Sequence, residues 1–266
     1  MMAWIRGFFT VVVAVLIFFS VLSLNLFGIL SSSLTYENVY EESSIIFEDV
    51  LQDLNVSSII EKRYPAIVEF CENNSEFVFG EEGYVFEIPC DSVIQGTDAV
   101  LQEGVKSVIN KIYYGNYSEK VTDYLDEPQE APLFLISEKA HNFTSKIFYY
   151  SILLFIFLIV ALFFLVNNKS NTFLLPGIFM VVISLLFFKI NSFFSHLSDG
   201  ILFQFLGIFF SRSFPVSMRL LIIGILLIAI AIVFKVFKVG FWVSSLIEKF
   251  KEKKNISKNI NKIKKK

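Results

Sequence analysis

The chain has 266 residues, 55% of them hydrophobic, with a mean hydropathy of +0.63 and a formal net charge of −2. That balance excludes an ordinary soluble domain and points to a polytopic membrane protein. The small net charge hides an asymmetry: residues 31–146 hold 22 acidic and 7 basic side chains, whereas from Lys249 onward nine lysines accompany the single Glu252.

Arg6 precedes an apolar run from Gly7 to Leu30, interrupted only by Thr10, Ser20, Ser23 and Asn25. The run exceeds the core of a cleaved signal peptide, about 7–15 residues, and no A-x-A-like site follows it. Residues 1–30 therefore read as a retained transmembrane helix near Phe8–Leu30, with Arg6 favouring a cytoplasmic N-terminus under the positive-inside rule.

Residues 31–146 read as an acidic, water-exposed and mainly helical domain. Asn38 with Glu41, Ser58 with Glu61, and Asn116 with Glu119 have the spacing of capped helix starts. Ile46, Phe47, Val50, Leu51 and Leu54 predict one apolar stripe; Ile67, Val68 and Cys71 predict a second, with Pro65 delaying or kinking its helix. A third helix is expected from near Asp91, with Val93, Thr97, Leu101, Val105, Val108 and Ile112 on its inner face. Between the second and third, Gly80-Glu81-Glu82-Gly83 separates two short runs, predicting a hairpin of Phe77–Phe79 with Tyr84–Ile88. Cys71 and Cys90 flank it and are the only two cysteines, so outside the cytoplasm they are expected to form a disulfide. Asp126–Pro132 reads as a surface loop. Asn55, Asn73, Asn116 and Asn142 head N-x-S/T sequons, as do Asn168 and Asn255 in stretches assigned to the cytoplasm.

Ile147–Val166 is a run of twenty residues without charge or proline. As a helix it extends roughly 30 Å, the thickness of a bilayer's hydrocarbon core. A polar turn, Asn167–Thr172, leads to a third span, Phe173–Ile190, with Pro176 in its first turn and Lys189 able to snorkel at its far end. Val216–Phe234 is the fourth span. The apolar part of residues 193–211 is too short to cross and reads as an interfacial or re-entrant helix. The membrane domain is thus residues 147–240, followed by an amphipathic, lysine-rich cytoplasmic tail, 241–266. Its Lys249, Lys251, Lys253 and Lys254 are candidates for contact with anionic lipid headgroups. No Arg or aromatic residue is interleaved with these lysines, so nucleic acid is not the expected partner.

Chemistry is sparse in this sequence. No Asp or Glu falls inside a span, which argues against an ion-coupled carrier. Lys189, His196, Asp199 and Arg212 form a candidate polar site at the membrane interface, with Ser195 and Ser211 beside it. His196 and Asp199 lack a nucleophile elbow or HExxH context, and no catalytic residue is assigned. Glu81, Glu82, Asp126, Glu127 and Glu130 lack EF-hand spacing and read as solvated surface, so neither metal nor cofactor is implied. In outline, four spans with a large first outer segment and a cysteine pair resemble the claudin topology. The W…GLW…C…C signature of that family is missing, and nothing is carried over from it.

The fold class expected is an all-α polytopic membrane protein: four transmembrane helices and a small, mainly helical extracytoplasmic domain containing a short β-hairpin. It is placed in the cell membrane, with both termini cytoplasmic and residues 31–146 outside. The leading expectation of function is a non-enzymatic envelope protein whose ectodomain docks a partner protein. The alternatives are an oligomeric small channel or transport subunit, and a membrane-surface enzyme using His196 and Asp199.

Overall fold

The computed structural model describes residues 2–53, 56–81, 84–115, 134–166, 170–190 and 201–237. The cap at Asn116 and Glu119, the Asp126–Pro132 loop, Ser195, His196, Asp199 and the lysine tail lie outside the described residues.

Long apolar runs without internal proline dictate the longest elements. Helix α1 (Met2–Ser33) ends at a triplet of serines, and α6 (Glu138–Leu165) carries the polar stalk and the twenty-residue apolar run as one helix. Helix α7 (Ser170–Phe187) contains Pro176 and starts ahead of the expected Phe173. Among the described residues four segments are long and apolar enough to cross a membrane: Arg6–Ser33, Glu138–Leu165, Ser170–Phe187 and Leu206–Phe237. The fourth begins earlier than the expected Val216. It takes in the last part of α8 (Ile201–Phe210) from Leu206, a turn at 211–212, and α9 (213–237). The turn has a local cause: Pro215 has no N–H to return to the carbonyl of Ser211.

Between α1 and α6 come α2 (Tyr36–Asp53), α3 (Val56–Cys71), β1 (Glu76–Glu81), β2 (Tyr84–Pro89), the single turn α4 (Cys90–Val93) and α5 (Thr97–Tyr113). The two strands pair antiparallel with Phe77 opposite Ile88 and Phe79 opposite Phe86, the hairpin expected from the sequence. The Cys71–Cys90 disulfide closes the loop around it, with the Cα atoms 5.3 Å apart. Three expected boundaries are corrected. Helix α2 opens when Val39 N–H bonds Thr35 O, so Asn38 lies within the helix and does not cap it. Ser58 lies inside the first turn of α3, and that helix begins well before Pro65 instead of being delayed by it. The third helix is split: the chain reaches φ 123° at Gly96, a conformation glycine adopts without steric cost, and α5 begins beyond it. The inner face of α5 is consequently Val100, Val105, Ile109 and Tyr113.

The described chain divides into two compact units. One comprises the described parts of Met1–Leu22, Ser151–Leu185 and Met218–Lys266. Here Arg6 donates to the terminal carbonyls of Phe164 (3.2 Å) and Leu165, closing the open end of α6 with a cation where the helix dipole is negative. Ser20 Oγ donates to Ser151 O at 3.4 Å, and Phe173 stacks on Phe234. Helices α7 and α9 cross at Gly177 and Gly224. A Cβ placed on Gly177 would come within 2.9 Å of Gly224 O, and one on Gly224 within 3.1 Å of Gly177 O. Small residues at such crossings let backbones approach where no hydrophobic force separates protein from lipid. Exposed Phe8, Phe19, Phe157, Phe164 and Leu185 provide the apolar outer surface a bilayer requires.

The other unit, Ser23–Tyr150 with Leu186–Ser217, contains two cores. In one, Leu34, Val39, Val105, Ile109, Tyr113, Ile136, Ala140 and Ile208 pack together. In the second, Ile67, Ile88, Val93 and Val100 surround the disulfide. The polar segment 31–146 is therefore not an isolated module: α8 supplies Ile208 to its core.

Candidate functional site

The most concentrated polar chemistry among the described residues lies where two chain bends meet within the second unit. At the first bend α1 ends with Leu34 N–H bonding Leu30 O (2.9 Å), and Thr35 opens α2. This brings Asn38 back over the end of α1, where its Nδ2 donates to Ser33 O at 2.8 Å. At the second bend Ser211 Oγ donates to Ile208 O at 2.9 Å, terminating α8.

Arg212 joins the two bends. Its backbone N–H donates to Ser33 Oγ at 3.1 Å, its Nε to Asn38 Oδ1, and its Nη2 to Glu41 Oε2 at 3.3 Å. Asn38 Nδ2 also donates to Ser211 Oγ at 2.7 Å. The carboxamide, 1% exposed, therefore uses both donor hydrogens and its acceptor. The ion pair itself is wet, with side-chain exposures of 46% for Arg212 and 68% for Glu41. Its Coulomb energy is screened by solvent, and the buried amide bonds hold the joint. Glu42, next in sequence, is pushed above the usual carboxylate range by burial and then by Glu41, with Arg212 opposing. The hydroxyls of Ser43, Ser213 and Ser217 are buried without a hydrogen-bond partner among the described residues.

Beside the joint is a tyrosine cluster. Tyr36 lies against Tyr40, Tyr113 and Tyr114, at ring separations of 6.2, 5.3 and 5.6 Å. Tyr113 OH donates to Leu34 O at 3.0 Å, and burial, followed by the neighbouring Tyr114, pushes its phenol up to about 12. A cleft of about 290 Å³ opens between α2 and α5, with Tyr40, Leu51, Leu101 and Val105 along it and the carboxylates of Glu48 and Asp98 among its lining groups.

Of the four residues expected at the interface, Arg212 is central to this joint and Lys189 is exposed in the turn after α7. His196 and Asp199 are outside the described residues. His141, in the stalk, has its Nδ1 buried without a partner among the described residues. Glu81 falls in β1, while Glu82, Asp126, Glu127 and Glu130 are outside the described residues. Among the described residues no three His, Cys, Asp or Glu side chains converge as metal ligands. Asn38 and Glu41 stand out in sequence for their spacing, but as a presumed cap; their partnership with Arg212 has no local signal. The hydrogen bonds at the joint fasten the two bends together. Compared with protein-family models, curated proteins and solved structures, the chain matches none.

Proposed function

We propose that this chain is an integral protein of the cell membrane, with both termini cytoplasmic, whose acidic ectodomain docks another surface protein without catalysing a reaction. The orientation follows from charge: the lysine-rich tail suits the cytoplasmic side, and the acidic segment 31–146 suits the outside. Arg212, a cation within the Leu206–Phe237 segment, is charge-paired with Glu41 and hydrogen-bonded to Asn38.

The observation that carries docking is the cleft between α2 and α5. Its exposed Glu48 and Asp98, lining it together with the apolar Leu51, Leu101 and Val105, suit a basic segment of a partner protein. The channel alternative asks Lys189, His196, Asp199 and the short segment near 193–211 to line a path, yet Ile208 of that segment is committed to the core packed by α2 and α5. Purification of the full chain from native membranes in mild detergent, with identification of what co-purifies, tests the proposal. A stoichiometric protein partner lost in a Glu48→Lys, Asp98→Lys variant is the expected result. A homo-oligomer without partners, unchanged by those substitutions, would overturn docking and direct attention to ion flux in liposomes.

A further inference from the structure

The fold distinguishes between sequons that look alike in sequence. Of the four in the acidic segment, Asn55 and Asn116 lie outside the described residues, leaving Asn73 and Asn142 to compare. Modification of an N-x-S/T acceptor needs a surface site, and physically it needs a side-chain amide free to leave its local bonds and a hydroxyl free to assist.

Asn142 is exposed, but it stands inside α6, and the hydroxyl of its sequon is engaged. Thr144 is 7% exposed and its Oγ1 donates to His141 O at 3.0 Å. Asn73 has the opposite setting. Asn73, Asn74 and Ser75 are all exposed, in the short connection between the end of α3 at Cys71 and the start of β1 at Glu76. Asn74 is the residue held locally, its Nδ2 donating to Phe70 O at 2.8 Å. The flanks are fixed by Cys71–Cys90 and by the bond from Cys90 N–H to Ser75 O at 3.0 Å. The acceptor loop is thus open at its side chains and anchored at both ends.

We infer that Asn73 is an N-glycan acceptor and that Asn142 is not. In the transfer, the Asn73 amide nitrogen bonds the anomeric carbon of an oligosaccharide carried on a lipid phosphate or pyrophosphate. The bond from that carbon to the phosphate oxygen breaks, the lipid phosphate leaves, and the amide gives up one proton. The inference rests on the proposed orientation, which places residues 31–146 outside.

The experiment is mass analysis of peptides from the full chain purified from its own membranes, alongside Asn73→Gln and Ser75→Thr variants. The expected result is a glycan mass on the Asn73 peptide, lost in Asn73→Gln, retained in Ser75→Thr, and absent from the Asn142 peptide. An Asn73 peptide of unmodified mass overturns the inference, as does a glycan on Asn142. Orientation is read separately, by labelling a Ser257→Cys variant in intact cells with a membrane-impermeant maleimide. Unmodified Asn73 with an unlabelled tail overturns the acceptor site alone; a labelled tail overturns the orientation and the inference resting on it.

Discussion

The buried carboxamide of Asn38 accepts the Nε–H of Arg212, 174 positions further along the chain, and bonds Ser33 O and Ser211 Oγ through its own nitrogen. One side chain thereby ties the start of α2 to both chain bends. Replacing it with Ala removes the partner of two acceptors, Ser33 O and Ser211 Oγ, and of Arg212 Nε, in a site where Ser33 and Asn38 are buried. The expected loss is about 2–3 kcal/mol, seen as a lower thermal midpoint in mild detergent. Glu41→Gln removes only the wet ion pair, and its expected cost is below about 1 kcal/mol and weaker in high salt. Equal losses from the two variants would show that the ion pair, and not the amide, holds the joint.

The α7–α9 crossing predicts a sharp contrast among glycines. A methyl group at Gly177 would meet Ile228 Cγ1 at 2.8 Å and Gly224 O at 2.9 Å, so the helices must separate. Gly177→Ala is expected to cost about 1–3 kcal/mol through overpacking. Gly7→Ala meets nothing within 4 Å, and Ala instead stabilises the helix by about 0.5–1 kcal/mol. Size-exclusion profiles after graded heating of the two variants, side by side, check the difference.

The disulfide closes a loop of 19 positions around a two-strand hairpin that is marginal by itself. Cys71→Ser with Cys90→Ser is expected to lower stability by about 3 kcal/mol in the chain-entropy view. Reductant should reproduce much of this loss in the native chain and none in the double variant. A native chain indifferent to reductant would count against the bond's role.

Tyr113 predicts an alkaline limit. Its phenol ordinarily titrates near 10.0, and burial pushes it up to about 12 in the fold. The folded state therefore holds the proton more tightly. The stabilisation is fully present below pH 10 and is lost as pH rises from about 10 to about 12. Tyr113→Phe should flatten that window, while at neutral pH it loses the bond to Leu34 O, about 1 kcal/mol. Thermal midpoints from pH 8 to 12 provide the comparison.

Glu42 carries the same sign at the acidic end. Its carboxyl is raised by burial, so the fold favours the neutral form, and the stability this contributes declines as pH climbs through the raised value. Glu42→Gln is expected to be more stable than the native chain at neutral pH and equal to it in acid. A variant less stable than the native chain at neutral pH would show that the carboxylate is needed charged.

Local rules made much of this protein legible before any tertiary information. Twenty residues without charge or proline specify a spanning helix because lipid leaves the backbone no other partner, and α6 contains all of that stretch but Val166. Alternation around the Gly80–Gly83 turn specifies a hairpin, and two lone cysteines flanking it specify their own pairing. What sequence could not contain is the identity of partners brought together from afar. Asn38 and Glu41 carry the pattern of a helix cap, and only the return of the chain at Arg212 turns them into a fastener. Gly177 and Gly224 each look like a weak point in an apolar run until their backbones meet. The break at Gly96, where φ is 123°, likewise separates two helical pieces whose Val93 and Val100 meet in the second core. Hydrophobic runs and turns are decided by a residue's neighbours in sequence; buried polar bonds and close crossings are decided by its neighbours in space.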